Sequence, residues 1–298
     1  MRTTAVIGRL PWVLGDMPAV GHDDALLIFG GASGAENRDE ILHVDGLGNV
    51  RPVGRLPSPC RGHQAVKIGN SVYLLGGFAE GTLREAYRID LGTLESWPIA
   101  PMPRESAWFS ATELDGRIFV VGGFSIPDGY WDEVATYDPA QDRWSLGNGF
   151  PAHIFPKGAL GSNAIAAVGG HILSFGGADT FDTDGMRANA LAVCARFDPA
   201  TAQWSRLPAA IEPRESLVVV AEDGRLFLIG GMLNPPAHAS DLIEAVDTAT
   251  MTVTPFARMQ EGRAAAGCGI VGGRLLIAGG VTEGVFAMTD AIEAVAID

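Results

Sequence analysis

Three cysteines in 298 residues, Cys60, Cys194 and Cys268, are too few and too scattered for a disulfide framework. Cys194 and Cys268 stand in apolar strand contexts and read as buried thiols. No apolar run reaches the roughly 18 residues of a membrane span. The N-terminal MRTTAVIGRLPW has one early arginine and a broken apolar stretch, a poor secretory leader. A cytoplasmic protein without a membrane segment is the expectation. Basic charge is also short: 21 Lys and Arg against 35 Asp and Glu leave a net charge of -14, with no Lys/Arg run. That argues against a nucleic-acid partner, whose phosphates need a basic surface. Several motifs are missing too. No Gly-x-Gly-x-x-Gly opens a helical period, no His-Glu-x-x-His holds zinc, and no Gly-x-Ser-x-Gly presents a nucleophile. Asp179, Asp182 and Asp184 start like a calcium loop, but a frame from Thr180 needs an acid where Leu191 stands. The sequence thus implies no cofactor and no metal.

Glycine, by contrast, is abundant, and its placement fixes the architecture. Six Gly-Gly pairs close apolar runs, at 30–31, 76–77, 122–123, 176–177, 230–231 and 279–280, separated by 46, 46, 54, 54 and 49 residues. The runs are LLIF, VYLL, IFVV, ILSF, LFLI and LLIA. A repeat near 50 residues built of short strands is the signature of a propeller blade. Tight-turn pairs precede the second strands at Gly69-Asn70, Asp115-Gly116, Gly169-Gly170, Asp223-Gly224 and Gly272-Gly273, residues that tolerate positive φ. The Gly-Gly pairs themselves read as positions too crowded for side chains, where blades converge on a channel.

Three blades carry an aromatic after the glycine pair and a tryptophan beyond it: Tyr87 with Trp97, Tyr137 with Trp144, and Phe197 with Trp204. Asp-Pro turns at 138–141 and 198–201 lie between partners in two of them. This pattern resembles the kelch repeat along essentially the whole chain, although blades 1, 5 and 6 lack the tryptophan. The expected fold is all-β: a six-bladed kelch propeller of four-stranded antiparallel blades, forming a single domain over 1–298.

The ends of the chain suggest how the ring closes. Ile292 to Ile297 reads as a third strand with no fourth after it, while Ile7-Gly8-Arg9-Leu10-Pro11 nearly repeats Val53-Gly54-Arg55-Leu56-Pro57 from the first blade's outer strand. Residues about 3–9 are therefore expected to complete the last blade and leave little exposed ladder.

Function is less legible, since one scaffold hosts unrelated activities. The candidate site is a set of polar residues just before the inner strands: Arg61 and His63, Arg104 and Ser106, Arg214 and Ser216, and Arg263. Gly15 and Gly161 interrupt the set in the other blades. Four arginines around a channel mouth would clamp a carboxylate or several hydroxyls. The echo Pro-Arg-Glu-Ser at 103–106 and 213–216 adds Glu105 and Glu215 as candidate acid–base groups. The same arginines could instead pair with glutamates and backbone inside each blade. In kelch propellers generally, this position lines a ligand- or peptide-binding face. Two functions follow as expectations. One is a binder of a small polar or anionic molecule, or a cofactor-independent isomerase similar to propeller-only sugar mutarotases and epimerases. The other is a protein-interaction module, a common use of kelch propellers.

Overall fold

The computed structural model describes residues 1–126, 128–182, 187–222, 224–233, 238–283 and 287–298. Its secondary structure is all β, with no helix among the described residues. Each blade is a four-stranded antiparallel sheet. Blade 2 is representative: Gln64–Ile68 is the inner strand, followed by Ser71–Phe78, Thr82–Asp90 and the short outer Ser96–Pro98. The other inner strands are Ala19–His22, Ser110–Leu114, Ala164–Val168, Val218–Glu222 and Gly267–Val271. The tight turns hold the expected left-handed residues, with φ of 52° and 75° at Asp115 and Gly116. Of the turn pairs, Asp223 lies outside the described residues.

Apolar side chains pack between blades, one cluster per interface. Phe29 and Ile41 of blade 1 meet Val72 and Leu74 of blade 2. Tyr73 and Leu75 meet Val120 and Tyr137 across the next interface. Alternation explains this: period-two strands buried on both faces send one set of side chains to each neighbour. Two of the three aromatic–Trp pairs sit directly opposite one another on adjoining strands, Tyr137 with Trp144 and Phe197 with Trp204, each with ring centroids 5.1 Å apart. The third does not. Trp97 lies opposite Arg88 and is exposed, while Tyr87 faces Pro98. The one-residue difference in register puts that tryptophan on the other face of the sheet.

The glycine pairs are as crowded as expected. In blade 2, Gly76 and Gly77 have φ of 52° and 113°. A Cβ on Gly76 would meet the Ser106 carbonyl of the next blade at 2.6 Å, and one on Gly77 would meet the His63 Cβ at 2.8 Å. Only glycine satisfies both the backbone angle and the space.

Closure is as expected, with an addition. Ala5–Arg9 forms the outer strand of blade 6 against Ala291–Ala296. Before that, Arg2–Thr3 pairs in parallel with Val253–Arg258 of blade 5. The first nine residues therefore strap two blades together. Thr4, between the two strands, is buried and donates its hydroxyl to Glu293.

Candidate functional site

The turn that enters each inner strand is built alike in all six blades. The residue 16 before the first glycine of each pair is Leu14, Cys60, Ser106, Leu160, Arg214 or Arg263, and every one is buried. Its carbonyl accepts a hydrogen bond from the second glycine of the preceding blade, at 2.7–3.0 Å, in all six cases. Two residues on come Asp16, Gly62, Trp108, Ser162, Ser216 and Ala265, each with φ between 48° and 61°. Their backbones form a closed circle. Gly62 donates to Asp16, Trp108 to Gly62, Ser162 to Trp108, Ser216 to Ser162, Ala265 to Ser216 and Asp16 to Ala265, with N···O distances of 2.6–3.1 Å. The left-handed conformation turns each N–H along the ring rather than into its own blade. This circle rims one mouth of the central channel, whose cavity of about 210 Å³ is lined by Asp16, His63, Trp108, Asn163, Ser216 and residues below them.

An aromatic stripe crosses the mouth over blades 2 and 3. Phe78, Trp108, Phe124 and Tyr130 follow one another with ring centroids 5.6, 6.4 and 5.5 Å apart. All four are half-buried. The Arg61 guanidinium caps the row, 5.3 Å from the centre of the Phe78 ring. Two entry-turn glycines make room for these rings. A Cβ on Gly62 would sit 3.0 Å from the Trp108 indole, and one on Gly161 would collide with the Tyr130 ring. The gap expected at Gly161 is thus filled by Tyr130, and that at Gly15 by Val281 and Met288.

Two carboxylates join this rim. Burial pushes Asp16 above the usual carboxylate range, offset in part by the charge of Arg61 and a hydrogen bond from the Trp108 indole. Burial likewise raises Glu215, against hydrogen bonds from the Ser216 and Ser162 hydroxyls, and the charge of Asp16 raises it further. The Ser216 hydroxyl lies 2.7 Å from Glu215 Oε2. Tyr130 is held above its ordinary range by burial first, then by Glu215 and Asp179.

The arginine ring is not assembled. Arg214 and Arg263 are buried inside blades 5 and 6, where each guanidinium pairs with a third-strand glutamate, Glu244 and Glu293. Arg263 also donates to the carbonyls of Gly279 and Ala291 at 3.0 and 3.1 Å. Arg104 is exposed and lies 2.7 Å from Glu133, away from the cavity lining. Glu105 is not in that lining either. The Pro-Arg-Glu-Ser echo is out of register by two residues: Ser106 occupies the level of Arg214, whereas Ser216 occupies the level of Trp108. Ser106 packs against Gly123 rather than facing the channel. His63 is buried beside Cys60, Nδ1 to Sγ 3.5 Å, and burial pulls its imidazole down to about 4 while pushing the Cys60 thiol up to about 12. Of the residues chosen from sequence, Arg61, His63, Glu215 and Ser216 stand on or beside the mouth.

A family profile for the KLHDC2/KLHL20/DRC7 Kelch-repeats domain matches residues 16–231. The chain belongs to the kelch-repeat family. Among curated kelch proteins, it is 26% identical to Kelch domain-containing protein 3 of Bos taurus, over 89% of this chain and 76% of that one. It is 25% identical to Kelch-like protein terF of Aspergillus terreus, over 74% of this chain and 50% of the relative. It is 28% identical to Beta-scruin of Limulus polyphemus, over 70% of this chain and 24% of the relative. The chain thus spans half or less of the full length of the last two.

Within this kelch frame, Asp16, Trp108, Phe78, Phe124 and Tyr130 are the mouth residues that sequence reasoning missed. A constant count would have found the first two. The rim residue lies 14 before the first glycine in every blade, as the buried residue lies 16 before it. The four arginines lie 15, 18, 16 and 16 residues before that glycine, so grouping them as one set hid the fixed register.

Proposed function

We propose that this kelch propeller is a protein-interaction module and that a partner segment seats on its channel mouth, along the stripe of blades 2 and 3. The observation that carries this is the row Phe78, Trp108, Phe124 and Tyr130, capped by Arg61. Aromatic residues and arginine are the side chains that dominate protein-binding hot spots. Size points the same way. The cavity of about 210 Å³ falls below the roughly 300–1,000 Å³ of pockets that enclose small organic ligands. The isomerase expected from the sequence relied on an arginine clamp, two members of which are committed to buried ion pairs.

Selection from a random peptide display library tests the proposal, with the Trp108→Ala protein as a counter-screen. Peptides that bind the natural chain and lose about tenfold or more in affinity for Trp108→Ala are expected. A selection yielding no peptide, or only peptides indifferent to Trp108→Ala, Phe78→Ala and Arg61→Ala, would overturn it.

A further inference from the structure

The charges at the rim give the docking surface a chemical preference. Glu215 is turned into the ring, where its carboxylate is bonded by the hydroxyls of Ser216 and Ser162. No cation pairs with it among the described residues. Asp16, across the mouth, raises the cost of ionising Glu215, so the two carboxylates sense each other. One arginine, Arg61, acts on Asp16. Asp179, buried near Tyr130, is bonded at 2.6 Å by the Asn189 amide. The rim thus holds two carboxylates and one guanidinium, flanked by the Trp108 and Tyr130 rings. Two hydroxyl donors fill only part of a carboxylate's four acceptor sites and bring no opposite charge. The aromatic faces beside it attract cations as well.

We infer that the segment docking on this mouth inserts a lysine or arginine side chain, which Glu215 and Asp16 bind from one side and the Trp108 and Tyr130 rings from the other. This rests on the docking reading above and specifies what that site selects. A lone carboxylate on the partner, aimed at Arg61, is the opposite preference, and it would meet the repulsion of Asp16 and Glu215.

The test uses the peptides that lose binding to Trp108→Ala. They are expected to share one basic position. Its replacement by norleucine should weaken binding to the natural chain by about tenfold or more, the usual worth of a charge-assisted contact. Glu215→Gln should remove the advantage of lysine over norleucine and leave the norleucine peptide's affinity unchanged. Asp16→Asn serves as the second variant if Glu215→Gln melts early. Mouth-binding peptides without a shared basic residue, with a shared acidic one, or with equal affinity in the lysine and norleucine forms would overturn the cation inference while leaving the docking proposal standing. No selected peptide at all would overturn both.

Discussion

Blades 2 and 3 and blades 5 and 6 use the same entry turn for different ends. In blades 5 and 6 the buried position carries Arg214 and Arg263, and the third strand opposite carries Glu244 and Glu293. In blades 1 to 4 the buried position holds Leu14, Cys60, Ser106 and Leu160, and the equivalent third-strand position holds Leu42, Tyr87, Ala135 and Ala195. Charge appears at both positions or at neither. Two residues later the emphasis reverses. Blade 3 puts Trp108 on the rim, with Phe78 of blade 2 stacked beside it, while blades 5 and 6 put Ser216 and Ala265 there. The lesson is that an arginine near a channel mouth declares nothing until its partner is found. Here the partner lies 30 residues downstream in the same blade.

This contrast can be broken first where it is strongest, at the strap across blades 5 and 6. Removing residues 1–9 takes away the outer strand of blade 6, the parallel pair on blade 5 and the Thr4 bond to Glu293. At about 1 kcal/mol per lost hydrogen bond, the loss should be about 5 kcal/mol or outright unfolding. Urea denaturation of the shortened chain measures it, and a loss below about 1 kcal/mol would show that the strap is dispensable.

Next comes the ion pair. Arg263→Leu copies blades 1 and 4 but leaves Glu293 buried without its cation. A cost of about 4 kcal/mol is expected by the same measurement. A cost near zero would mean that Glu293 protonates or reaches water, and that the pair is not structural.

A third difference lies in blade 2. His63 occupies the level held by Leu217 and Ala266 in blades 5 and 6. Its imidazole titrates near 4 when folded, against 6.5 as the ordinary value. The unfolded chain takes the proton first, so this group's contribution is present above pH 6.5 and declines as pH falls towards 4. The loss over that window is about 3 kcal/mol. Asp16 and Glu215, both raised, run the opposite way: their contribution is present at low pH and declines as pH rises through their folded values. The stability difference between the natural chain and His63→Asn isolates the histidine. It should change in the stated direction between pH 6.5 and 4, and a difference independent of pH would remove His63 as its source.

These particulars show what the sequence made readable. The Gly-Gly pairs were legible because close backbone approach has one chemical solution, repeated six times. Closure was legible because Ile7 to Pro11 echoes an outer strand. The two-residue pairing of Arg2–Thr3 on blade 5 was not, since a segment that short carries no period. The mouth was half legible. Polar identity drew attention to Arg214 and Arg263, but identity does not say which way a side chain points, and their burial depends on glutamates in another strand. Nor did the sequence join Phe78 to Trp108, Phe124 and Tyr130: the last two pair in a short hairpin of blade 3, and Phe78 reaches them only because blades 2 and 3 are neighbours.

The central claim is that binding belongs to the stripe of blades 2 and 3 and that the arginines of blades 5 and 6 serve the fold. Calorimetry of one selected peptide against two variants tests it most directly. Trp108→Ala should lose about tenfold or more in affinity. The double variant Arg214→Leu with Glu244→Leu, which copies the Leu14 and Leu42 combination of blade 1, should bind within about twofold of the natural chain, because a buried pair exchanged whole for apolar residues is near neutral. Full affinity in Trp108→Ala together with a folded double variant that no longer binds would contradict the account.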